Sequence, residues 1–330
     1  MQQSFQITTI EPTLEAEFNA SFEDAVREGL SRCPRGLPSR FFYDDQGSEY
    51  FRQIMELDEY YLTRAEFEIL SEQAEAIARE LPDEPFNLIE LGSGDGTKTI
   101  PFMEGLRRAG REFQYIAIDI SAGAMETLHE NLQKRVPWIS FHGVVADYFS
   151  GLDWLRTNSN RRGVVLFLGS NIGNFSAERA RGFLGHVREE LNEGDMFVLG
   201  ADLKKDMTRI QRAYNDSRGV TALFNLNLLE RINRELGANF QSDQFDFHSY
   251  YNPVMGAVES YIVSLCDQTV RIDALDEEFH FHAFEAIHTE YSHKYRLDEI
   301  EGMANASGFS VTRHFQDTKR DFVDSLWRAE

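Results

Sequence analysis

Two cysteines in 330 residues, Cys33 and Cys266, are too few and too far apart for a disulfide framework or a thiolate metal cluster, so both read as reduced thiols and no metal is expected. Basic residues are also scarce: 33 Lys and Arg stand against 55 Asp and Glu, a formal charge of -22. Such a surface repels a phosphate backbone, which sets nucleic acid aside as a partner. No apolar run reaches the roughly 18 to 20 residues that cross a bilayer, and the opening Met1-Gln2-Gln3-Ser4 lacks the basic and apolar regions of a signal peptide. The expectation is a cytoplasmic monomer without a membrane partner. Low-complexity stretches and internal repeats are missing too, while 42% hydrophobic and 27% charged residues describe an ordinary globular chain with a sizeable core.

What is present is a run of strand-length apolar segments, over 86–91, 113–118, 140–145, 163–168 and 196–201. They alternate with helix-like stretches such as 122–135 and 177–191, the pattern of βαβ units around a buried parallel sheet. Apolar residues at three- and four-residue steps predict one helix over 64–81, ending before Pro82. The first 64 residues read as a helical lobe with an aromatic turn. After Asp202 the alternation stops: 210–236 reads as helices, then 244–251, 257–266, 268–272 and 278–284 as antiparallel strands. A last helix and strand, 297–308 and 310–315, fit an edge pair of the α/β sheet.

The strand over 86–91 runs directly into Gly92-Ser93-Gly94-Asp95-Gly96-Thr97-Lys98. Glycines there permit a tight turn and close approach of backbone to ligand, and the following helix offers free N–H groups. A second strand ends in Asp119, at the distance where doubly wound folds place an acid on ribose hydroxyls; the plainer alternative is a cap for the helix beginning near Ser121. A third ends in Asp147-Tyr148-Phe149, where the acid suits an adenine amino group and the aromatic edge suits its ring. Three such strand ends in order point to a nucleotide. A P-loop is excluded because no Gly-Lys-Ser/Thr follows, and Thr97 stands where a dinucleotide fingerprint wants its third glycine, so S-adenosylmethionine is favoured over NAD.

The strand over 163–168 breaks at Gly169-Ser170-Asn171-Ile172-Gly173-Asn174. At this point the chain resembles the histidine-specific Nα-methyltransferases of ergothioneine biosynthesis. The likeness runs nearly end to end, through Phe42-Tyr43-Asp44-Asp45-Gln46-Gly47-Ser48, Glu59-Tyr60-Tyr61-Leu62-Thr63-Arg64-Ala65-Glu66, Glu90-Leu91-Gly92-Ser93-Gly94, Ala213-Tyr214-Asn215-Asp216, Phe224-Asn225-Leu226-Asn227 and Thr289-Glu290-Tyr291-Ser292. It implies an α/β fold, a Rossmann-like class I methyltransferase open sheet with a second, mixed α+β substrate-binding lobe. The substrate lobe would take 1–65 and 201–294, and the S-adenosylmethionine-binding domain 66–200 and 295–330.

The resemblance also implies a reaction: three methyl groups pass from S-adenosylmethionine to the α-amino nitrogen of L-histidine. Asn174 and Tyr214 match residues that hold the amino acid's carboxylate and amino ends, and Tyr43 and Phe51 those around the reacting nitrogen. Tyr43 and Asn174 are thereby the candidates for orienting the amine. Glu290 and Ser292 match the pair that grips the imidazole, with Tyr60 nearby, although the sequence does not say whether Tyr60 or Tyr61 faces the substrate. For the donor, Gly92, Ser93, Gly94 and Lys98 match the loop, Asp119 the ribose contact, and Asp147 with Tyr148 the adenine contact. The family places Met where this chain has Ser260, which enlarges the room beside the ring. Two further readings stand beside histidine: another aromatic amino acid such as tryptophan, or a non-catalytic S-adenosylmethionine-binding interaction protein.

Overall fold

The computed structural model describes residues 5–10 and 21–330. Their strands are β1 (Phe5–Thr9), β2 (Arg35–Gly36), β3 (Phe86–Leu91), β4 (Phe113–Asp119), β5 (Phe141–Val145), β6 (Arg162–Phe167) and β7 (Met196–Asp202). Then follow β8 (Phe245–Asn252), β9 (Ala257–Ser264), β10 (Gln268–Ile272), β11 (Glu277–Phe281), β12 (Ala286–His293), β13 (Phe309–Gln316) and β14 (Phe322–Ala329). The chain divides into two compact units: residues 5–10, 62–203 and 295–330 in the first, 21–61 and 204–294 in the second.

The first unit carries an eight-stranded sheet in the order β1-β5-β4-β3-β6-β7-β14-β13, parallel from β1 through β7. β14 then pairs antiparallel with both β7 and β13. Every residue of β3 is buried, as expected of a strand covered on both faces, and Phe167, Phe183, Phe197 and Trp327 anchor the core beside it. The strand order reverses between β3 and β6, which is where an open α/β sheet leaves a crevice beyond its carboxyl ends. Helix Ala122–Arg135 is capped by Ser121, whose hydroxyl accepts from Ala124 N, and helix Ala177–Glu190 by Ser176 in the same way.

Two expectations change, and one strand goes unforeseen. The sequence reading assigns residues 1–65 to the second lobe, but β1 pairs in register with β5 at the edge of the large sheet; five residues without a clean alternation of exposure give too short a signal to separate from loop. The single helix expected over 64–81 is two, Leu62–Glu72 and Ala74–Ala78, stepped at Gln73, whose side chain leaves the helical line to donate to Gln316 O at 2.8 Å. The helix and strand expected at 297–308 and 310–315 are present as Leu297–Ala306 and β13, the edge strand of the sheet; what the sequence did not show is β14, which lies between β13 and β7.

The second unit holds a four-stranded sheet, β2-β12-β9-β8, and the separate hairpin β10-β11. Helices Phe22–Ser31, Asp45–Met55, Met207–Tyr214 and Val220–Leu236 belong to it. Gly47 shows why this packing constrains sequence: a Cβ there would lie 1.7 Å from the carbonyl oxygen of Phe42. Asp44 caps the same turn by accepting from Gly47 N at 2.7 Å, and Asn227 of the long helix donates to it at 2.8 Å.

Candidate active site

In the first unit, the carboxyl ends of β3, β4, β5 and β6 carry Gly92, Ser93, Gly94, Lys98, Asp119, Asp147, Tyr148 and Asn174. The loop after β3 needs glycine. Gly92 and Gly94 have φ of 75° and 54°, and a Cβ on Gly92 would meet the Tyr148 hydroxyl at 2.8 Å, whereas the space beside Gly94 is open. Gly92 N donates to Ile118 O at 2.8 Å, pinning the loop to β4. Asp119 accepts from Gly94 N at 3.3 Å and Ser121 N at 3.0 Å, and since Ser121 is the helix cap, the acid is not needed for that purpose. Burial pushes the Asp119 carboxyl above its ordinary range against the pull of those backbone N–H groups.

Asp147 is itself a cap. Its Oδ1 accepts from Phe149 N and Ser150 N at 3.0 Å each and its Oδ2 from Ser150 Oγ at 2.6 Å, which occupies three of about four acceptor sites on a carboxylate and leaves one for a ligand. Tyr148 stands edge-on to Phe167 and Phe183, with ring centroids at 5.6 and 6.0 Å. Asn174 ends the short 3-10 turn Asn171–Asn174, which is entered through Gly169 and Ser170 with φ of 77° and 59°. Ser170 is held in that left-handed conformation by accepting from Asp202 N at 3.0 Å.

Sequence reasoning missed Glu66, which ties two of these loops together. It accepts from Gly169 N at 2.7 Å and pairs with the Lys98 ammonium, so the loops after β3 and β6 share one buried carboxylate. Burial pulls the Lys98 ammonium down, but the facing Glu66 outweighs it and holds Lys98 above its ordinary value. The signal was the motif Glu59 to Glu66, whose last residue had no role to explain it.

In the second unit, Tyr43, Phe51, Tyr60 and Tyr214 form one aromatic row. Successive centroids lie 5.4, 6.3 and 6.3 Å apart, each pair edge-to-face. Phe224, to which the sequence alone assigns no role, packs against both Tyr43 and Phe51. Tyr60 belongs to the row; Tyr61 turns instead to Lys205, which donates to its hydroxyl at 2.7 Å, and to the Arg209 guanidinium above its ring.

The row ends on β12. The Tyr214 hydroxyl lies 2.7 Å from Ser292 Oγ, and Lys294, 2% exposed, donates to both oxygens at 2.7 and 2.8 Å. Glu290 and Ser292 share a face of β12, two residues apart, and the strand partner of Glu290 is Ser260. Burial pushes the Glu290 carboxyl up to about 7, with the charge of Lys294 pulling the other way. The cluster thus offers aromatic faces, one carboxylate acceptor and one hydroxyl, which suits an amine attached to a polar ring. Among the described residues no group of His, Cys, Asp and Glu fits a metal ion, and no helix is long and apolar enough to cross a membrane.

A profile of histidine-specific, S-adenosylmethionine-dependent methyltransferases matches residues 22–329. The chain is 37% identical over 302 residues to a histidine N-alpha-methyltransferase of Mycolicibacterium smegmatis, covering 91% of this chain and 92% of that protein. It is 36% identical over 301 residues to the enzyme of the same name from Mycobacterium tuberculosis, with the same coverage. A 4-dimethylallyltryptophan N-methyltransferase of Claviceps fusiformis is 28% identical over 264 residues, 74% of each chain.

Proposed function

Because the chain belongs to the histidine-specific, S-adenosylmethionine-dependent methyltransferases, we propose that it places three methyl groups on the α-amino nitrogen of L-histidine, giving Nα,Nα,Nα-trimethylhistidine, the first step of ergothioneine biosynthesis. The observation that carries the choice of histidine is Glu290 and Ser292 on one face of β12, two polar groups for two ring nitrogens. An indole has a single N–H and would leave one of them without a partner, at a cost of about 1–3 kcal/mol.

The residues present fit the methyl donor. The positive-φ loop leaves open space beside Gly94, Asp119 keeps acceptor capacity for a ribose hydroxyl, and Asp147 has one acceptor site left for an amino group. When bound, S-adenosylmethionine supplies a methyl already activated on a sulfonium. The protein's part is then positioning and the exclusion of water. Tyr43 is the second unit's candidate for orienting the amine, which must lose a proton before each transfer because its ordinary pKa lies well above neutral pH. The faces of Tyr43, Phe51 and Tyr60 favour the ammonium that becomes permanent with the third methyl.

A second reading, methylation of a tryptophan-type amine, draws on Ser260: this small residue, 2% exposed, sits across from Glu290. Mass spectrometry of a reaction containing S-adenosylmethionine and the common amino acids separates the two. Histidine alone should gain mass, ending three methylene units heavier. Preferential gain on tryptophan, or donor binding without any product, would overturn the histidine reading.

A further inference from the structure

Lys294 is buried, and its ammonium donates to the hydroxyl oxygens of both Tyr214 and Ser292, themselves 2.7 Å apart. An ammonium has donors only, so each hydroxyl oxygen is fixed as an acceptor towards it. Of the two hydroxyls, the phenol is the stronger acid and the weaker acceptor, so the hydrogen between them runs from Tyr214 to Ser292. Both lone pairs of Ser292 Oγ are then filled, one by Lys294 and one by Tyr214, and Ser292 has only its own hydrogen left to offer. Glu290, on the same face of the strand, offers an acceptor.

Resting on the histidine reading above, we propose that Lys294 is a specificity-determining positioning residue: it sets the hydrogen-bond polarity of Ser292, so that the pair Glu290 and Ser292 accepts a ring with one N–H and one bare nitrogen. That is neutral imidazole. An imidazolium presents two donors and an indole presents no acceptor nitrogen, so each mismatches one member of the pair. Lys294 acts through Ser292 and does not touch the ring.

A double-mutant cycle tests this, with L-histidine and with L-3-thienylalanine, whose ring has no nitrogen. Lys294→Met is expected to raise KM for histidine at least tenfold with kcat within threefold, and to cost less than threefold once Ser292→Ala is already present. KM for thienylalanine and the Kd for S-adenosylmethionine should move less than twofold. Equal penalties with and without Ser292, or the same penalty for thienylalanine, overturn the proposal and leave a purely structural lysine. Should Lys294→Met fail to fold, Lys294→Gln is carried through the same cycle and read by the same criterion, a penalty that requires Ser292. Wild-type turnover of histidine is the first arm. Its absence removes the substrate reading and this proposal together, whereas turnover with additive penalties removes this proposal alone.

Discussion

Two glutamates with the same burial-driven shift do different things, and the difference lies in what surrounds each one. Glu290 has Lys294 nearby and a free face on β12, so removing it should cost substrate: Glu290→Ala is expected to raise KM for histidine more than tenfold, in line with about 1.5–3 kcal/mol for a hydrogen bond to a charged group, and to ease entry of tryptophan. Steady-state kinetics with both amino acids check it, and an unchanged KM would remove its role at the ring. Glu90 is instead sealed inside the first unit, accepting from Thr99 Oγ1 at 2.7 Å and from the Tyr115 hydroxyl, and burial pushes its carboxyl up to about 7. Its folded value lies above its unfolded one, so its stabilising contribution is full below about pH 4.5 and lost as pH rises through about 7. Between about pH 5.5 and about pH 8.5 the wild type should lose roughly 2 kcal/mol relative to Glu90→Gln in urea unfolding; parallel profiles would show that Glu90 does not titrate there. At this scale it was the likeness to a family that singled out Glu290 and Ser292, and the two-residue step of a strand explains only how both can face one ring. The sequence reading passed over Lys294, two residues further and just past the end of β12, and Glu66, because a lone charge in sequence does not declare the partner it will meet.

Elements were legible in proportion to how fully their own residues paid out a period. Helix Ala122–Arg135 and strand β10 lie where the pattern placed them, each bounded by local chemistry such as the Ser121 cap. β14 was hidden because Asp324 and Ser325 interrupt its apolar run, although both are fully buried, and burial pushes the Asp324 carboxyl well above its ordinary range. The turn before helix Asp45–Met55 stands out in the sequence as a motif, but its reason is steric and therefore invisible in one dimension. Gly47→Ala would drive a methyl into the Phe42 carbonyl and open the turn that carries Tyr43, at about 1–3 kcal/mol. Gly182→Ala makes the matching control: this glycine lies exposed in helix Ala177–Glu190 with nothing within 4 Å of the new methyl, and the exchange should stabilise by about 0.5–1 kcal/mol. Chemical denaturation of both variants should give opposite signs. Equal signs would mean that the close approach at Gly47 relaxes without cost.

For the whole molecule, the second unit is assembled from 21–61 and 204–294, two segments separated by most of the first unit's sheet. Nothing in either segment names the other, and only the likeness to a family grouped Tyr43 with Tyr214 and Ser292 before the structure did. Charge, by contrast, is legible from composition alone and acts on the molecule as a whole. With 55 acidic and 33 basic residues the folded chain concentrates a net charge of -22, and unfolding relieves that repulsion by spreading it. Several short-range pairs, such as Arg52 with Glu49 and Lys134 with Glu130, are exposed and contribute little, so added salt has more repulsion than attraction to screen. Raising sodium chloride from about 50 mM to about 500 mM shortens the screening length from roughly 14 Å to about 4 Å, below the spacing of most surface charges. The melting temperature at pH 8 should therefore rise with salt. Near the isoelectric point of about 4.8 the net charge vanishes, and the same salt step should leave the melting temperature unchanged or lower it. Differential scanning calorimetry at the two pH values reads the contrast directly; a salt response of the same sign and size at both would mean that ion binding or solvent effects, rather than the acidic surplus, govern the stability of the chain.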